Sequence, residues 1–98
     1  MGLLELFGFG KKKQIVREAV DNGALIIDVR SEGEFKQGHV KGSINIPLPK
    51  VGSQIEKIRK MKQPIVLCCA SGMRSGSATS ILKRAGVDCY NGGSWTSL

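Results

Sequence analysis

Two unbroken apolar runs constrain this chain most: Ala24-Leu25-Ile26-Ile27, closed by Asp28, and Ile65-Val66-Leu67-Cys68, which begins directly after Gln63-Pro64. Neither alternates with polar residues, so a strand built from either has no face left for water. Such strands belong in a parallel sheet covered on both sides. Helical patterns fill the gaps between them. Ile15, Val16, Ala19 and Val20 fall at helical spacing after a run of lysines and stop at Asn22-Gly23. Residues 31–36 fit a short helix with Ser31 as N-cap, Glu34 as its capping-box partner and Gly38 as its end. Residues 42–47 read as a short strand stopped by Pro47. Residues 51–61 carry Ile55 and Ile58 in a basic stretch, an amphipathic helix. Residues 75–85 form a helix with Ala78, Ile81 and Leu82 as its apolar stripe and Gly86 as its stop. A fourth strand covers residues 87–90, and Asn91-Gly92-Gly93 reads as a turn.

This alternation predicts an α/β fold: a small, largely parallel sheet with right-handed crossovers and helices on both faces. In open sheets of this kind, sites form beyond the carboxyl ends of the strands. Four segments fall there: Asp28-Val29-Arg30, residues 45–47, residues 69–75 and residues 91–93.

With 98 residues the chain holds one core, and 41% hydrophobic content with 23% charge excludes a disordered or collagen-like chain. We divide it into an apolar and basic extension, residues 1–12, and a domain, residues 13–98. The extension has its lysines after the apolar stretch, the reverse of a secretory signal, and Leu6 stands where a myristoylation motif needs Ser or Thr. No run is long enough to span a membrane, so the apolar end is expected to pack on the domain. The net charge is +7, but the basic residues are dispersed and aromatics are only 5%. Small anions or acidic protein patches therefore rank above nucleic acid as partners. Of three cysteines, Cys68 and Cys69 are adjacent, there is no CxxC pair, and the single histidine, His39, is remote. That excludes a disulfide framework and a zinc site, and implies reduced thiols in a cytoplasmic protein. A monomer is expected.

The segment Cys69-Ala70-Ser71-Gly72-Met73-Arg74-Ser75 lies between a buried strand and a helix. A loop of that shape curls around its first side chain and aims successive N–H groups at the sulfur. Gly72 permits the positive φ of a tight curl. The next helix brings its positive end, and Arg74 a full charge, to the same point; both favour a nucleophilic thiolate. Cys68 and Cys89 read as core. Cysteine phosphatases use C-x5-R, which would need arginine at position 75; here Arg74 comes one place early. The tighter loop suits one bound sulfur atom better than a phosphate.

With these residues in view, the chain resembles the rhodanese family from about Lys13 to Trp95. Residues 25–31 with Glu34-Phe35 and residues 38–47 look like its N-terminal signature, residues 69–75 like its active-site loop, and residues 90–95 like its C-terminal signature. The resemblance implies a sulfurtransferase in which Cys69 takes the outer sulfur of a donor such as thiosulfate as a persulfide. Cyanide, a small thiol or a protein thiol then removes it. The N–H groups from Ala70 to Ser75 would cradle the persulfide and Arg74 would hold an anionic donor. No metal or organic cofactor is implied. Asp28, Arg30, Glu34 and His39 would make polar contacts tying the first two strand ends together, with Arg30 also placed to contact an anionic substrate. Two features depart from the family. Ser71 stands where members efficient with thiosulfate often have a basic residue, which favours a protein-fed carrier as the alternative. The family's final helix is missing, and only residues 3–9 are present to supply an N-terminal strand, so four or five strands are expected.

Overall fold

The computed structural model describes residues 9–98. Helix α1 (Phe9–Asp21) leads into β1 (Leu25–Asp28), followed by α2 (Glu32–Gln37), β2 (Ile44–Asn45), α3 (Leu48–Val51), a 3-10 turn (Gly52–Gln54), α4 (Ile55–Arg59), β3 (Ile65–Cys69), α5 (Met73–Arg84), β4 (Cys89–Ser94) and a closing 3-10 turn (Trp95–Ser97). The four strands form one sheet in the order β2-β1-β3-β4, and every pairing is parallel.

The pleat divides the apolar runs between two faces. Ile27, Ile65, Leu67, Cys69 and Cys89 point toward α3, α4 and α5, where they meet Val51, Ile58, Ala78 and Leu82. Ile26, Val66 and Cys68 point the other way, against Val16, Ala19 and Val20 of α1 and against Trp95 and Leu98. The unbroken runs thus serve two cores at once, as the expected layering requires. Each fully buried aliphatic side chain contributes about 1.5–3 kcal/mol. Ile27, Ile58, Ile65, Leu67 and Leu82 are all at 0% exposure, so shortening any one to Ala costs about 2–5 kcal/mol.

Several boundaries differ from those expected. The helix expected over 51–61 is broken into α3, a 3-10 turn and α4. Gly52 and Ser53 are weak helix formers, and the Ser53 hydroxyl donates back to the Lys50 carbonyl (2.9 Å), tightening the chain there. The break still brings both Val51 and Ile58 to full burial. Helix α5 begins at Met73, two residues early, because Gly72 takes φ +98° and starts the helix inside the cysteine loop. Among the described residues, helix α1 (Phe9–Asp21) includes the three lysines. The rest of the apolar N-terminus lies outside the described residues.

The larger correction concerns residues 91–93, which are strand and not turn. Register shifts between Leu67, opposite Asn91, and Cys68, opposite Gly93, leaving Gly92 as the extra residue of a bulge. A side chain at Gly92 would meet Val66 Cγ1 at 2.7 Å. A glycine pair that reads locally as a turn is therefore what lets this strand pass β3 closely.

Candidate active site

Cys69 is the last residue of β3, and the chain turns directly from it into α5. The first turn of a helix has N–H groups without partners inside the helix. One of them, from Ser75, points at Cys69 Sγ (3.4 Å), and the Gly72 N–H donates to the same sulfur at 2.9 Å. The Ser75 hydroxyl lies 3.4 Å from Sγ. Burial alone would push this thiol up. The Ser75 hydroxyl and the N–H groups of Ser75, Gly72 and Ser71 outweigh it, lowering the thiol from 9.0 to about 7. Gly72 is needed here for two reasons: its positive φ, and a Cβ that would come within 3.2 Å of Gly93 Cα. Cys69 itself is fully covered, with Ala70 and Ser71 exposed above it and Met73 at 80% exposure beside it.

Arg74 does not point a free charge at the sulfur. Its guanidinium pairs bidentately with the Glu34 carboxylate, Nη1 to Oε1 at 2.7 Å and Nη2 to Oε2 at 3.0 Å. The Arg74 partnership, helped by the Ser31 N–H, holds the Glu34 carboxyl down at about 2. Glu34 also closes the capping box of α2 with Ser31, so one carboxylate joins the N-terminal signature to the cysteine loop.

Arg30 lies in a separate cluster. It is 4% exposed. Its Nε reaches both Asp28 oxygens at 3.0 Å, and its Nη2 reaches Oδ2 at 2.7 Å. One Nη1 N–H goes to the Glu34 carbonyl (3.3 Å) and the second Nη2 N–H to the Gly38 carbonyl (2.6 Å), and the Trp95 ring covers the guanidinium at 4.5 Å. The structure thus puts Arg30 into the polar tie, with four of its five N–H groups engaged, and gives it no hydrogen bond to the cysteine loop. His39 is outside the tie: it is exposed, stacks on Phe35 (3.7 Å between centroids) and uses Nδ1 on the Phe35 carbonyl.

The sequence places residues 91–93 at the functional edge of the sheet but gives Asn91 no role there. The β4 bulge turns it toward the loop, where its Oδ1 accepts from the Ser75 hydroxyl (2.7 Å) and from the Gly93 N–H (3.0 Å). Its Nδ2 donates to the Gly72 carbonyl at 3.0 Å. Its position beside two glycines at a strand end was the one available signal. Among the described residues, no group of three His, Cys, Asp or Glu could hold a metal ion, and no helix is long and apolar enough to cross a membrane.

A parallel sheet ending in a cysteine that opens a curled, donor-rich loop defines a recognised class. The chain belongs to the rhodanese-like domain family, whose pattern matches residues 12–96. It is 41% identical over 69 residues to the uncharacterized protein YqhL of Bacillus subtilis, covering 69% of this chain and 54% of YqhL. The chain therefore spans about half the length of that relative. It is 31% identical to a putative mitochondrial thiosulfate sulfurtransferase of Schizosaccharomyces pombe, covering 94% of this chain and 75% of that protein. Among solved structures, a rhodanese with anions from Escherichia coli superposes with a TM-score of 0.69 at 32% identity, over 78% of this chain and 92% of that one.

Proposed function

We propose that this protein is a sulfurtransferase that moves sulfane sulfur from thiosulfate or a persulfide donor to a thiophilic acceptor through a Cys69 persulfide. The observation that carries this reading is the set of donors converging on one sulfur, which holds it near pH 7 despite full burial. In the first step the Cys69 thiolate attacks the outer sulfur of thiosulfate. The S–S bond of the donor breaks, its electron pair leaves with sulfite, and Cys69 keeps the transferred sulfur as an anionic persulfide. In the second step cyanide or a thiolate attacks that outer sulfur and regenerates the Cys69 thiolate. The loop N–H groups stabilise the anion at both stages. Because Cys69 is fully buried, the loop around it must part to admit a donor. Arg74 helps bind an anionic donor only to the extent that Glu34 releases it.

A second reading is a carrier loaded by a partner protein. A groove of about 1080 Å³ runs between α1 and the loop, with Lys12, Lys13 and Arg17 on one side and Ser71, Gly72 and Met73 on the other. Cationic walls leading to the cysteine loop suit an acidic protein surface, and Ser71 leaves a small anion without a basic contact at that position.

The test is intact mass after incubation with thiosulfate. Gain of one sulfur atom on Cys69, reversed by a reducing thiol, supports direct turnover. No gain, with Cys69 still open to alkylation, favours the carrier. An unreactive Cys69 removes both readings.

A further inference from the structure

The Ser75 hydroxyl sits between two acceptors and has one hydrogen to give. Its Oγ is 2.7 Å from Asn91 Oδ1 and 3.4 Å from Cys69 Sγ. The orientation of the Asn91 amide is fixed at both ends. Nδ2 faces the Gly72 carbonyl, which can only accept, and Oδ1 faces the Gly93 N–H, which can only donate. The oxygen presented to Ser75 is therefore an acceptor, and the hydroxyl must donate to it. In that arrangement Ser75 shows the sulfur a lone pair, which suits a thiol S–H and not a thiolate.

We propose that Asn91 is a positioning residue that sets the protonation of Cys69 by competing with it for the single hydrogen of the Ser75 hydroxyl. In the thiol state the hydroxyl points at Asn91 Oδ1 and accepts from the Cys69 S–H. When the sulfur ionises or carries an anionic persulfide, the hydroxyl turns to it and Asn91 Oδ1 keeps only the Gly93 N–H. Asn91 thus acts against ionisation, and Ser75 acts for it. Ser75 is fully buried and its backbone carbonyl is taken by the Thr79 hydroxyl (2.7 Å), so the helix turn carrying the hydroxyl is held while the O–H itself can rotate. The other charged or titratable groups around the site are Cys68 on the same strand, Asp28 and Arg30 at the end of β1, Arg74 on α5, Glu34 on α2 through Arg74, and Lys12, Lys13 and Arg17 of α1 across the groove. None of these changes in the variants below.

The inference rests on Cys69 being the working thiol, yet its test needs no sulfur donor, so it can fail while the transfer chemistry stands. The readout is the pH at which Cys69 alkylation reaches half its limiting rate, measured in the full chain. Asn91→Ala removes the competitor and is expected to lower that midpoint by about half a unit to one unit, the effect of one redirected hydrogen bond. Ser75→Ala is expected to raise it. In the Ser75→Ala background, Asn91→Ala should then do nothing, because the two act through one hydrogen. Asn91 is exposed, which favours folding of its variants. Should Asn91→Ala not fold, Asn91→Ser, one bond shorter and without the amide oxygen that Ser75 donates to, is expected to lower the midpoint in the same way. An Asn91→Ala midpoint that stays put or rises, an equal shift with and without the Ser75 hydroxyl, or an Asn91→Ser midpoint that fails to fall would each overturn the proposal.

Discussion

Cys68 and Cys69 are neighbours on one strand, both fully buried, and they differ in every chemical respect that matters. Cys68 points into the smaller core beneath α1, among Ile26 and Val66. Burial pushes its thiol up to about 12; the Asp28 carboxylate adds to this, and Arg30 offsets part of it. Cys69 faces the opposite layer and is brought down to about 7, although burial opposes that too. The desolvation cost acts in the same direction on both. What separates them is that the chain turns at Cys69 and brings a hydroxyl and several backbone N–H groups to its sulfur, whereas Cys68 is still inside the sheet, its side chain pointing into apolar packing. The lowered thiol is a product of the turn, and the sheet's period of two decides which cysteine receives it.

The largest effect that could break this contrast is the exchange of roles between the two thiols. Cys69→Ser is expected to abolish sulfur gain from thiosulfate completely, because the nucleophile is gone. Cys68→Ala should load normally and lose only about 1 kcal/mol of stability, the cost of a small cavity. Intact mass with peptide mapping, beside urea unfolding, checks both. Sulfur found on Cys68, or loading lost in Cys68→Ala, would end the comparison.

Next in size is the buried cluster on the side of Cys68. Removing the guanidinium in Arg30→Ala leaves Asp28, at 0% exposure, as an unpaired buried charge, expected to cost about 3–5 kcal/mol. Loading per folded molecule should survive, since Arg30 does not touch the cysteine loop. Denaturant unfolding and a loading assay on the folded fraction separate the two effects. A stable Arg30→Ala that cannot load would instead assign Arg30 to the substrate.

The division between what the sequence showed and what it hid follows from distance along the chain. Local chemistry was legible: the Ser31–Glu34 capping box, Gly72 as the positive-φ residue, the two-sided apolar runs and Cys69 at a strand end all depend on near neighbours. Contacts that only the assembled fold creates were not. Arg74 meets Glu34 across 40 positions, and Ser75 meets Asn91 across 16. Asn91-Gly92-Gly93 reads as a turn because glycine pairs favour turns locally, and a bulge becomes visible only beside the strand it must pass.

Smaller again is a pH effect in which the two cysteines oppose each other. Cys69 has its folded value below its unfolded one, so between about pH 7 and the ordinary thiol value of 9.0 the unfolded chain holds a proton that the folded chain has lost. Its stabilisation, on the order of 2 kcal/mol, is complete above that window and lost as pH falls through about 7. Cys68 is the reverse: above its ordinary value and up to about 12 the folded chain keeps a proton that the unfolded chain releases, so stability declines there. Stability measured from pH 6 to 10 should therefore rise and then fall. Cys69→Ser should remove the rise, and Cys68→Ala should soften the fall.

The smallest expected effect probes the bridge between the N-terminal signature and the loop. Glu34→Gln keeps the capping box with Ser31, since glutamine serves there as well as glutamate, but removes the charge that neutralises Arg74. Both side chains of the pair are 38% exposed, so water already weakens the interaction. Freed from its partner, Arg74 should draw an anionic donor more strongly, lowering the KM for thiosulfate about two- to five-fold with little change in kcat. Added salt should erase the gain, because screening acts on the same attraction. Neutral or protein-bound donors should show no such change. A higher KM would mean that Glu34 orients Arg74 for the donor and does not compete with it, which would make the pair, and not the free arginine, the unit that meets an incoming anion.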